Sequence, residues 1–185
     1  RLAAFATEFT IEAAEAAVAD GGLVDRFEVL DAVSRLVDKS LVQFDESTGR
    51  YRLLETVRQF GLDRLQHRGE LDAARTGHMR WCVEWAEVDR VQRLSESAES
   101  RQAMVPDLLA ALDWAMANEP DMALRIAAGL GSMISLLGPS TCHRLADWFL
   151  ALDRDDVTDG LWAAAAVAIT GRALFLQRFE LYDLI

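Results

Sequence analysis

Between Leu36 and Leu65 the apolar residues change their period twice, and few folds tolerate such a change in so short a span. In Phe27–Asp38, Val29, Leu30, Val33, Leu36 and Val37 recur at helical spacing, while Glu28, Asp31, Arg35 and Asp38 point away. In Leu41–Phe44 and Tyr51–Leu53 the spacing drops to two, pairing Val42 with Phe44 and Tyr51 with Leu53. The stretch between them, "DESTG", is polar and contains a glycine, as a hairpin loop requires. From Glu55 the helical period returns, with Leu54, Val57, Gly61 and Leu65 on one stripe and Phe60 beside it. Gly61 costs about 1 kcal/mol against alanine inside a helix, so close packing is expected there.

Upstream, Leu2, Phe5 and Ala6 suggest a short first helix, and Thr10 is a suitable N-cap for a helix over Ile11–Ala19. Asp20-Gly21-Gly22 reads as its stop. Three helices, a hairpin and a closing helix make a winged-helix unit over residues 1–68. From 69 to 185 the pattern is helical throughout. Helices are expected over Leu71–Leu94, Asp107–Asn118, Met122–Leu137, Ser140–Leu152 and Thr158–Phe175, with another starting near Phe179. "SESAESRQ", "NEPD", "GPS" and "DRDD" interrupt them. Short turns between successive helices suggest an α-solenoid, truncated at its end. The expected fold class is therefore mainly α: a winged-helix unit with a small β-hairpin, then a tetratricopeptide-like helical array.

Charge restricts the partners. Residues 1–70 carry 13 acids and 9 bases, net −4, and residues 71–185 carry 17 acids and 10 bases, net −7. Neither part has the basic field from which phosphate-backbone affinity arises. The helix over 27–38 offers Glu28, Asp31, Ser34, Arg35 and Asp38 where a DNA-reading helix presents Arg, Lys, Asn or Gln. The longest strongly apolar run, Leu161–Ile169, is too short for a membrane helix, and no signal peptide is visible. A cytoplasmic protein without membrane contact is expected. Cys82 and Cys142 are isolated and imply no disulfide framework. The ends, "RLAAFATEFT" and "RFELYDLI", suggest a piece of a larger protein.

Four blocks carry a family resemblance: "LAAFATEFTIEAAEAAV", "VLDAVSRLVDKSLV", "YRLLETVRQFGLDRL" and "LLAALDWAMA". In that order they resemble the large bacterial regulators built on a signal-transducing P-loop ATPase, often described as LuxR-family transcriptional regulators. The resemblance spans residues 1–120 and is strongest over 27–65. It implies an upstream ATPase, a winged helix, a tetratricopeptide-like superhelix and, in many members, a C-terminal helix-turn-helix that reads DNA. ATP or ADP would sit on the missing ATPase domain, and no cofactor is expected on this chain. In related switch ATPases a Met-His-Asp motif near the wing sends its His to the nucleotide phosphate. In register, that His falls on Leu54 and the Asp on Glu55. Leucine cannot hydrogen-bond a phosphate, so nucleotide sensing does not carry over at that position. Glu55 and Arg58 remain as candidates for an interdomain switch contact, against the plainer reading of Glu55 as a favourable acid at a helix start.

Other candidates reduce to packing. His78 and Cys82 lie four apart, but without a second pair they read as a surface histidine beside a core cysteine, not metal ligands. Cys142 and His143 are adjacent and diverge on a helix. "GLGS" at 129–132 lacks a preceding strand, and no P-loop motif occurs. Trp81, Trp85, Trp114, Trp148 and Trp162 sit in helical stripes and read mostly as core. "DRDD" at 153–156 reads as a solvated turn. No catalytic or metal residues are expected. The function expected is that of a non-catalytic regulatory segment, relaying ATPase state and binding a protein or small-molecule effector through the array. The alternatives are a winged helix that binds DNA directly and a plain interaction scaffold.

Overall fold

The computed structural model describes residues 1–19, 26–88, 98–131, 134, 137–154 and 157–171. The chain forms two compact units, Arg1–Trp81 and Cys82–Ile185. The expected boundary at 68/69 coincides with the stop between two helices, α3 (Glu55–Arg68) and α4 (Leu71–Glu87), whereas the units divide within α4.

The first unit opens with a single 3-10 turn, Leu2–Ala4, where a short helix is expected. A two-residue strand follows, β1 (Glu8–Phe9), too short to leave an alternation signal. Then come α1 (Ile11–Ala19), α2 (Arg26–Asp38), β2 (Val42–Asp45) and β3 (Arg50–Leu53). The sheet is antiparallel in the order β1-β3-β2. Two helices inserted between the outer strands, with a β2–β3 wing, give the winged-helix arrangement. The Thr10 hydroxyl accepts a bond from the Ala13 N–H at 3.3 Å, the N-cap contact expected for α1. The Asp20-Gly21-Gly22 stop lies outside the described residues.

Register places Val42 opposite Leu53 and Phe44 opposite Tyr51, so all four side chains share one sheet face. Phe9 pairs with Tyr51 on β3's other edge, giving an aromatic row of Phe9, Tyr51 and Phe44 with centroid spacings of 5.9 and 4.7 Å. On the opposite face Glu8 and Gln43 flank Arg52. The core joins Phe5, Phe9, Ala13, Ala14, Val29 and Val33 to Val42 and Leu53. Gly61 of α3 faces the Leu2–Ala4 turn, where an added Cβ would lie 2.8 Å from the Ala3 Cβ, which explains a glycine inside that helix.

Between α2 and β2 the chain reverses through Ser40, whose φ of 56° is left-handed. The Ser40 N–H donates to the Val37 carbonyl at 2.8 Å and the Leu41 N–H to the Leu36 carbonyl at 2.9 Å. These are the paired bonds of a helix stop that glycine normally serves. Gly69 fills the same role after α3, with φ 67°.

In the second unit, α4's last turns precede α5 (Ala98–Ala103), α6 (Val105–Asn118), α7 (Pro120–Leu130), α8 (Pro139–Ala151) and α9 (Asp159–Thr170). Three of these start on a proline in the first turn, whose missing N–H costs nothing there. The helix expected over Met122–Leu137 ends earlier, at Leu130, because Gly131 turns out of it with φ 48°. α7 packs on both α6 and α9, burying Ala123, Leu124, Ile126, Ala127 and Leu130. Gly129 lies against α4, where a Cβ would stand 2.5 Å from the Ala86 carbonyl oxygen. Arg125 donates to both Glu87 carboxylate oxygens, at 2.6 and 2.7 Å, and ties α7 to α4. Trp148 Nε1 donates to the Met116 carbonyl at 3.1 Å, tying α8 to α6. The expected start near Phe179 lies outside the described residues.

Two stability changes are expected. Ser40→Gly relieves left-handed strain and should raise stability by about 0.5 to 1 kcal/mol in urea denaturation. Gly129→Ala overpacks a backbone contact that cannot rotate away and should cost about 2 to 3 kcal/mol by the same measurement.

Candidate functional site

The sequence-derived candidates meet at the start of α3. Leu54 precedes the helix with extended backbone and caps no N–H with its side chain, and it is partly exposed. Glu55 occupies the first turn, where an acid complements the unpaired N–H groups. Its carboxylate accepts two bonds from Arg58, Nε to Oε2 and Nη2 to Oε1, each 2.9 Å. Gln59 Nε2 adds a third at 2.7 Å. The fork-on-fork pair is the strongest geometry open to arginine and carboxylate. The bonds from Arg58, then that from Gln59, hold the Glu55 carboxyl down at about 2. The structure thus brings Glu55 and Arg58 together as one surface cluster in which both charges are matched.

The two elements by which winged helices usually meet DNA are also visible. The outward side of α2 carries Phe27, Leu30, Asp31, Ser34 and Asp38, all exposed. Arg35, the arginine on this side, donates to Asp31 Oδ2 at 2.5 Å and to the Asp31 carbonyl at 3.3 Å, so its charge is already matched. At the wing tip Asp45 Oδ1 accepts bonds from the Ser47 N–H at 2.8 Å and the Ser47 hydroxyl at 2.6 Å. Those bonds lower the Asp45 pKa and keep the tip anionic. Beside it Phe44 and Glu46 are exposed. On α2 Arg35 is thus matched, and on the wing Arg50 and Arg52 stand in sequence with Asp45 and Glu46, so neither element carries a net cationic field.

Several expectations are corrected. Phe60, expected beside the α3 stripe, turns to solvent: it is 64% exposed, with the Arg64 guanidinium 5.9 Å from its ring centroid. A helix turns 100° per residue, which carries Phe60 away from the Val57–Gly61 side. His78 is buried, not on the surface, and sits edge-on to Phe5 at 5.0 Å. Of the five tryptophans only Trp162 is buried; the other four are half-buried at helix edges. The buried Cys82 does fit a core cysteine: its Sγ lies 3.7 Å from the Asp107 carbonyl oxygen, and burial, then the Asp107 charge, pushes its thiol pKa well up.

The Cys142 Sγ contacts the Ile134 carbonyl oxygen and His143 Nδ1 the Pro139 carbonyl oxygen, so those neighbours diverge as expected. Among the described residues no cluster of three metal-ligating side chains occurs, and no helix is long and apolar enough to cross a membrane. In "DRDD", Arg154 pairs with Asp159 at 3.3 Å, while residues 155–156 lie outside the described set.

No protein-family model and no solved structure matches the chain. It is 35% identical over 182 residues to a Mycobacterium tuberculosis protein named "Putative HTH-type transcriptional regulator Rv0890c", and equally to its Mycobacterium bovis counterpart, "Putative HTH-type transcriptional regulator Mb0914c". The match takes in 94% of this chain, which spans about a fifth of those relatives' length. A second M. tuberculosis protein, "Uncharacterized protein Rv0894", is 40% identical over 75 residues, which is 40% of this chain and 19% of that protein.

Because the Glu55 carboxyl is held below its ordinary value of 4.5, its pair stabilises the fold above that pH and is lost as pH falls towards 2. A carbon-detected NMR titration of the Glu55 side chain should give a midpoint near 2, and Arg58→Ala should return it towards 4.5. A wild-type midpoint near 4.5 would mean that the cluster does not persist in solution.

Proposed function

We propose that this chain is a non-catalytic regulatory segment of a larger transcriptional regulator, in which the winged-helix unit meets protein and DNA is read by another domain. The net charge of −4 over residues 1–70, with Arg35 of α2 already bonded to Asp31, is the observation that carries this reading. A surface of that kind repels phosphates, whose contacts supply most non-specific DNA affinity. The relatives named HTH-type regulators support the regulatory part, since they are about five times as long as the matching segment. An ATPase of the signal-transducing P-loop type, holding ATP or ADP, would precede the winged helix, as in the LuxR-type regulators the sequence resembles. The helical array, read as tetratricopeptide-like, would bind a protein or small-molecule effector. Effector and nucleotide would act by favouring one arrangement of domains over another through differential contact. Glu55, exposed at a helix start and locked to the half-buried Arg58, would exchange partners in that change.

The relatives' printed name favours a second reading, in which α1 and α2 are themselves the DNA-reading pair. The two readings separate cleanly. At about 50 mM salt, where phosphate contacts are strongest, the 185-residue chain should leave a duplex of its parent's own promoter unbound at 10 μM in an anisotropy titration. Micromolar or tighter binding with a steep salt slope would establish the second reading. In the full-length parent, Glu55→Ala should change ATP-dependent promoter output at least fivefold, and unchanged output would remove Glu55 from the switch.

A further inference from the structure

We draw no further inference here: the strongest candidate, the exposed apolar patch of Phe27 and Leu30 on the outward face of α2, stands among acids and bases in equal number, and nothing in the structure shows what covers it.

Discussion

Phe9 is the residue on which the first unit depends. A two-residue strand contributes too few backbone bonds to persist alone. β1 exists because its phenylalanine is fully buried between Phe5, at 5.0 Å, and Tyr51, at 5.9 Å. That burial fixes which residue of β1 faces β3, since a slip by one would send Phe9 to the solvent face and bring Glu8 into the core. The same row continues to Phe44, so one aromatic line sets the register of all three strands. With the sheet set, the inward positions of α1 and α2 follow, and so does the outward face of α2.

Electrostatics then decides what this scaffold offers. Acids near winged-helix contact elements are not stray charges here: Asp31 is tied to Arg35, Asp45 to Ser47 and Glu55 to Arg58 and Gln59. The bonds to Asp45 and Glu55 stabilise the ionised carboxylate, and those from Arg35 and Arg58 consume donors that a phosphate would need. Arg35 and Arg58 are thereby matched within a turn of helix.

The second unit is held by approach distance. α7 lies between α6 and α9 and, through Gly129, meets α4 at a separation no side chain would permit. The Arg125–Glu87 pair closes the same contact from its solvent side. Small residues at the crossing and a matched ion pair at its edge make one orientation of these helices preferable to its neighbours. Gly129 is thus a packing device, and Gly131 a helix stop.

Much of this was legible from residue order. The period change after Asp38 announced the hairpin and Thr10 marked the start of α1, because each depends on neighbours within a few positions, and a glycine inside a helical stripe announced a close contact at Gly61. The excess of acids over bases in residues 1–70 was equally plain, as was the nearness of Glu55 to Arg58. Tertiary structure alone decided the rest. It created β1 from burial of one ring, set Ser40 in a conformation its residue type disfavours, buried His78 against Phe5 and turned Phe60 to solvent. These outcomes depend on residues distant in the chain or on competition among neighbours for a limited core, and a local pattern carries no record of who wins that competition.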